Sequence, residues 1–268
     1  MNEVLKRTLS GVVYIILLLA ALIFSEQSFL LLFGLFFLIA IHEFCKLYNI
    51  KKTHGYCAAL LVASSLYFTH NTPFNSIYLL GLPFSIYLIY DLFKNDFTNT
   101  HRSPKQLLHL IGYVVVPFLI ITQLPFNNKV YQPNLLICIF VMIWCNDTFA
   151  YICGRLFGKH KLYEKISPKK TIEGFIGGLI FTEIAAFLVY LYLPGQNFSM
   201  FFWLVIGLTV SAMGTLGDLI ESKYKRQANV KDSGAIMPGH GGILDRLDSV
   251  LFAAPFLFLI YKIIYNVS

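Results

Sequence analysis

Residues 9–24 read LSGVVYIILLLAALIF, an uncharged run with Lys6-Arg7 just ahead of it. A basic pair before an apolar run is the form of a signal peptide and equally of a first membrane helix. The rest of the chain decides between them. Further apolar stretches follow at about 28–46, 55–70, 76–93, 106–124, 133–153, 172–193, 200–220 and 248–266. Cleavage after the first would leave all the others in place, so it explains nothing. About 20 apolar residues cross the ~30 Å hydrocarbon core as a helix, whereas barrel strands alternate over ~10. The pattern predicts an all-α polytopic membrane protein with about nine transmembrane helices.

Composition agrees. Of 268 residues, 57% are hydrophobic and 13% charged, and the mean hydropathy is +0.66. Soluble domains run at ~45–50% apolar and ~25% charged. A soluble enzyme, a disordered chain and a secreted disulfide scaffold are all excluded by that balance. Cys45, Cys57, Cys138, Cys145 and Cys153 all fall in apolar stretches with no C-x-x-C pair, and read as small buried hydrophobes.

Orientation follows from the basic residues. With the N-terminus cytoplasmic, 19 of the 21 Lys and Arg lie in inside segments, leaving only Lys129 and Lys262 elsewhere. The positive-inside rule then gives N-terminus in and C-terminus out. The long connections, 154–171 and 221–247, face the cytoplasm, where binding and catalysis are expected. Three parts are expected: 1–105 with about four spans, 106–171 with middle spans and a basic loop, and 172–268 carrying the chemistry. The net charge of +7 suits cytoplasmic loops and anionic ligands such as phospholipid head groups or nucleotides, and nucleic acid is not an expected partner.

Acidic residues within apolar spans are costly and single themselves out. Glu43 and Asp91 lie near cytoplasmic ends and read as helix-end charges. Glu183 sits deeper without an evident partner, and Asp147 stands in Trp144-Cys145-Asn146-Asp147-Thr148. The densest polar cluster runs from Gly217 to Asp248. Asp218, Asp232, Asp245 and Asp248 there supply hard oxygen ligands of the kind Mg²⁺ prefers. Lys223, Lys225, Arg226, Lys231 and Arg246 can pair with phosphate oxygens. Pro238-Gly239-His240-Gly241-Gly242 offers backbone N–H groups and close approach to a ligand. Together these point to phosphoryl or nucleotidyl transfer at a membrane, although a solvated, topology-setting loop with a glycine turn has the same composition.

The ordered string is more specific than its parts. Ser222-x-x-Lys225-Arg226, then Lys231-Asp232-Ser233-Gly234, then Pro238-x-His240-Gly241-Gly242-x-x-Asp245-Arg246-x-Asp248 resembles the signature of the phosphatidate cytidylyltransferases, also called CDP-diglyceride synthases. Tyr224 and Met237 stand where smaller or different apolar residues are usual in that family. An upstream block resembles the family as well, from Asn146-Asp147-Thr148 through Gly154-Arg155 and Gly158-Lys159-His160-Lys161 to Ser167-Pro168-Lys169-Lys170-Thr171-x-Glu173-Gly174. The first half of the chain matches only in hydropathy.

The resemblance implies synthesis of CDP-diacylglycerol and pyrophosphate from CTP and phosphatidate. It implies Mg²⁺ and a second, monovalent cation such as K⁺, a homodimer, and a polar cavity open to the cytoplasm and to membrane lipids. A bacterial inner membrane is the expected location. Carried onto this chain, Asp218 and Asp245, then Asp147 and Asp248, are the expected metal ligands. Lys225, Arg226, Lys231 and Arg246 are expected to hold phosphates, with Lys169 and Lys170 assisting and His240 orienting the triphosphate or serving the turn. Ser222, Asp232, Gly241 and Gly242 complete the expected substrate-binding set. Ser167-Pro168 reads as a helix start, and Gly174-x-x-x-Gly178 as a close helix contact, within the chain or between copies. Rival readings are a transporter, a CTP-dependent polyprenol kinase and a cytidylyltransferase for another lipid phosphate.

Overall fold

The computed structural model describes residues 3–69, 81–94, 104–127, 130–193, 198–237, 239 and 241–267. Its helices are α1 (Glu3–Phe24), α2 (Glu26–Leu47), α3 (Lys52–Thr69), α4 (Gly81–Phe93), α5 (Pro104–His109), α6 (Val116–Ile121), α7 (Asn134–Phe157), α8 (Ile172–Tyr192), α9 (Met200–Gln227) and α10 (Leu244–Val267). A π-helical turn, Leu110–Val115, joins α5 to α6 just before Pro117, which lacks the N–H that a regular helix would use there. Two small antiparallel hairpins complete the chain: β1 (Phe126–Asn127) with β2 (Val130–Tyr131), and β3 (Lys161–Tyr163) with β4 (Ser167–Thr171).

Among the described residues, five helices are long and apolar enough to cross a membrane: α2, α7, α8, α9 and the Leu244–Ile264 part of α10. Thr8–Phe24, Gly81–Phe93 and Lys105–Ile121 are shorter apolar helices. Each expected span overlaps a helix, although the start of the 76–93 stretch lies outside the described residues. On α8, Ile172, Ile176, Ile180 and Ile184 all point outward at four-residue spacing. A soluble protein rarely leaves such a stripe bare, and in a bilayer it meets acyl chains.

Local chemistry sets the helix ends. Ser25 and Ser28 cap α2 reciprocally, and the Ser199 hydroxyl accepts the Phe202 N–H at the start of α9. The start of α8 differs from the sequence expectation. Ser167-Pro168 is not a helix start but the first pair of strand β4, with the Pro168 carbonyl accepting from Lys161 Nζ at 2.7 Å. The helix begins at Ile172, where the Thr171 hydroxyl accepts the Gly174 N–H at 3.1 Å. A two-stranded ribbon tolerates proline because its outer edge needs no donor.

Helices α7, α8, α9 and α10 pack side by side in chain order. Small residues bring α7 and α8 together. A Cβ at Gly178 would stand 2.7 Å from Asn146 Oδ1, so Gly174-x-x-x-Gly178 serves contact within the chain. That Asn146 oxygen accepts the Ser211 hydroxyl at 2.8 Å and the Thr182 hydroxyl at 3.4 Å, tying α7, α8 and α9 at one point. Glu183 lies beside Gly207 of α9, away from the cavities described below.

A second core lies where the end of α9 meets α2 and the π-helical turn. Tyr224 meets Phe44, Tyr48 and Tyr113 edge-on, at centroid distances of 5.5, 5.5 and 5.2 Å. Its large ring, unusual at that signature position, is core. Next to it, Lys223 is 1% exposed and pairs with Asp91 Oδ2 of α4 at 2.9 Å. It also donates to the Asp91 carbonyl and, at 3.3 Å, to that of Lys94. Asp91 is thus no plain helix-end charge, and the Lys223 ammonium is buried against it. Because removing Lys223 leaves the half-buried Asp91 carboxylate without its partner, Lys223→Met is expected to cost about 1–3 kcal/mol. Unfolding in detergent measures it; an unchanged midpoint would show that the pair does not hold α4.

Candidate active site

Four helices, α7 to α10, and the hairpin β3–β4 converge on a single cavity of about 400 Å³. Helix α7 contributes Asp147 and Arg155, β4 contributes Lys169 and Lys170, α9 contributes Asp218, and α10 contributes Asp245, Arg246 and Asp248. Residues from 147 to 248 therefore meet in one place, with four carboxylates facing four cationic side chains.

Two of the four carboxylates, Asp218 and Asp245, are ion-paired. Lys170 Nζ lies 2.6 Å from Asp218 Oδ2, and the Ser222 hydroxyl, one turn along α9, donates to Asp218 Oδ1 at 3.2 Å. Burial works against the Lys170 ammonium, but the Asp218 carboxylate outweighs it and holds the pKa above the usual lysine value. A group raised in this way keeps its proton at neutral pH. Its stabilisation is complete below the ordinary lysine range and is lost only as pH rises past the raised value.

The second centre is Lys225, which bridges Asp245 Oδ1 at 2.7 Å and Glu221 Oε2 at 2.5 Å. The other Asp245 oxygen, Oδ2, accepts the Ser233 N–H, the Ser233 hydroxyl and the Gly242 N–H at 2.8, 2.7 and 2.8 Å. Asp245 thereby gathers the loop onto the start of α10. At the end of the glycine turn, Gly241 and Gly242 are buried, while Gly239 is exposed. Gly241 has φ +86°, and a Cβ on it would lie 2.4 Å from Asp245 Oδ2.

Asp147 and Asp248 carry no ion pair among the described residues. Asp248 Oδ1 accepts the Ser249 N–H at 2.8 Å, and Asn146 Nδ2 reaches Asp147 Oδ1 at 3.5 Å. These hard oxygens around one cavity are the donor chemistry of Mg²⁺. Among the described residues no three acidic, His or Cys side chains close into a metal cage. Mg²⁺ ordinarily takes one or two carboxylates and completes its shell with water and substrate phosphate, so the residues fit that mode.

Not every expected residue reaches the cavity. Lys231 and Asp232 are exposed and outside its lining, and Arg226 is exposed with Nε donating to the Ile166 carbonyl at 3.3 Å. Ser222 acts on Asp218 and does not line the space. His240 lies outside the described residues. Glu43, taken from sequence as a helix-end charge, instead accepts the Ile243 and Leu244 N–H groups at the start of α10.

Two further spaces adjoin the cavity. One of about 210 Å³ lies between α1 and α7 and shares Asp147, Asp245, Arg246 and Asp248, with Tyr14, Phe140 and Trp144 as aromatic walls. The other, about 800 Å³ and mostly apolar, shares Leu162, Phe175 and Thr215 and opens past Phe93, Leu216 and Leu219. A charged chamber thus continues into an oily groove.

Comparison with known proteins gives a consistent result. The sequence profile of the "Cytidylyltransferase family" matches residues 5–264. A phosphatidate cytidylyltransferase of Staphylococcus haemolyticus is 36% identical over 259 residues, covering 94% of this chain and 96% of the relative. Those of Staphylococcus aureus and Staphylococcus saprophyticus are 35% and 34% identical over the same shares.

Proposed function

The chain belongs to the cytidylyltransferase family, and from that premise we propose that it transfers the CMP group of CTP to phosphatidate. The products are CDP-diacylglycerol, which stays in the bilayer, and pyrophosphate. The observation that carries this reading is the convergence of Asp147, Asp218, Asp245 and Asp248 with Arg155, Lys169, Lys170 and Arg246 on one cavity that continues into an apolar groove. Phosphates suit the charged chamber and acyl chains suit the groove.

Two anions must meet for the reaction to occur, so neutralising charge is the main task. A phosphomonoester of second pKa near 6 is largely ionised at neutral pH, and the lipid phosphate is itself the nucleophile. It attacks the α-phosphorus of CTP and pyrophosphate departs, with no covalent enzyme intermediate. Lys169, Lys170, Arg155 and Arg246 are placed to hold the phosphate oxygens, the arginines in bidentate fashion. Asp147 and Asp248, with Asp218 and Asp245, would hold Mg²⁺ and a monovalent cation such as K⁺, which supply charge neutralisation and Lewis acidity. Lys225 aims Asp245, and Lys170 with Ser222 aims Asp218.

The finer architecture belongs to the same proposal: nine spans, cytoplasmic N-terminus, a site facing the cytoplasm of a bacterial inner membrane, and a homodimer. A tag fused after Ser268, a residue outside the described set, is expected to be accessible only from outside the cell. Labelling from the cytoplasm would make the span count wrong by an odd number.

The reaction is tested with purified protein in detergent, given phosphatidate, labelled CTP and Mg²⁺. Labelled lipid and pyrophosphate should form in equal amounts, and EDTA should stop both. Release of CDP without labelled lipid would replace the proposal with a kinase-type reaction.

A further inference from the structure

We propose that Glu43, on α2, is a positioning residue for this transfer: its carboxylate ties Ser233, within the loop that precedes α10, to the start of that helix and thereby sets Asp245 in the cavity. The inference rests on the proposed reaction for its kinetic consequence and on the coordinates for its geometry.

Glu43 is 3% exposed. Its Oε1 accepts the Ile243 N–H at 3.1 Å and its Oε2 the Leu244 N–H at 3.0 Å, so a residue some 200 positions earlier in the chain caps α10. A carboxylate there satisfies orphan donors and faces the positive end of the helix. The loop reaches the same group ten residues earlier, with the Ser233 hydroxyl 3.4 Å from Glu43 Oε2. That hydroxyl also lies 2.7 Å from Asp245 Oδ2, so Ser233 stands between the two carboxylates.

Two glycines record the contact. A Cβ at Gly234 would fall 2.2 Å from Glu43 Oε1, and one at Gly242 would fall 2.3 Å from the same atom. Any side chain at either place displaces the carboxylate. The Met237 N–H donates to the Gly241 carbonyl at 3.0 Å and closes the loop's neck. Glu43, Ser233 and Asp245 therefore form a chain running from a helix in the first fifth of the protein to the reacting space.

A partner that orients a metal-binding carboxylate is typically worth roughly 10–100-fold in activity or metal affinity. Glu43→Gln keeps the size of the side chain but turns one acceptor into a donor facing the loop's N–H groups. The full-length variant in detergent is expected to lose roughly 10–100-fold in kcat while KM for CTP stays within about twofold. Amide hydrogen exchange should rise over residues 233–245 alone, with thermal unfolding close to wild type. Wild-type kcat, or faster exchange spread over all helices with a lowered unfolding temperature, would overturn the proposal. Glu43→Asp, which keeps both oxygens on a shorter arm, carries the same test if the Gln variant does not fold. If wild-type protein makes no CDP-diacylglycerol, the reaction is wrong, yet the exchange pattern still decides the Glu43 contact.

Discussion

Replacing Asp245 by Asn is expected to slow CMP transfer by about 10²–10³-fold, the scale seen when one electrostatic element of a preorganised site is removed. The carboxylate has both oxygens in use: one meets the Lys225 ammonium and the other takes three donors from Ser233 and Gly242. An amide offers one acceptor and one NH₂, so whichever way it turns, a donor faces a donor. A neutral amide is also a poor ligand for a hard divalent cation. Folding should survive because Lys225 retains Glu221 as a partner. Product formation beside thermal unfolding measures both effects, and a wild-type rate in well-folded protein would remove Asp245 from the site.

Asp218→Asn is expected to have a similar effect, again about 10²–10³-fold, by a different route. Asp218 holds Lys170 at 2.6 Å, and the two form a unit facing the cavity. Losing the carboxylate removes a metal-binding oxygen and also frees the ammonium from its place. Residues that act as a unit are strongly non-additive. The double variant Asp218→Asn with Lys170→Met should therefore be about as slow as Asp218→Asn alone. If the two losses multiply, Lys170 serves substrate independently of Asp218.

Much of this was legible in the sequence for identifiable reasons. Membrane helices announce themselves because a long apolar run has few other uses, and each expected span overlaps a helix. Asp218 with Ser222, and Glu221 with Lys225, are pairs four apart whose contact follows from helical geometry. Composition could not separate Lys223 from Lys225. Two positions on a helix turn the side chain by about 200°, sending Lys223 to Asp91 and Lys225 to Asp245. Ser167-Pro168 misled because the same residues that open helices also suit the edge of a hairpin. The glycines at 241 and 242 looked like ligand-binding backbone, and nothing local could show that they, like Gly234, leave room for carboxylates. Glu43 was hardest, since its partners lie about 200 residues away and no periodicity reports them.

The same distance governs how the protein is made. The groups that meet Glu43 come from Ser233, Ile243 and Leu244, so all belong to the stretch beyond residue 232. Contacts of such long sequence separation form late. Until synthesis has passed residue 244, the α2 carboxylate lacks the donors that satisfy it in the folded protein, and an unpaired ionisable group in a membrane helix is costly. Nascent chains halted before α10 should be short-lived, and replacing Glu43 with an apolar residue should lengthen their survival while silencing the finished enzyme.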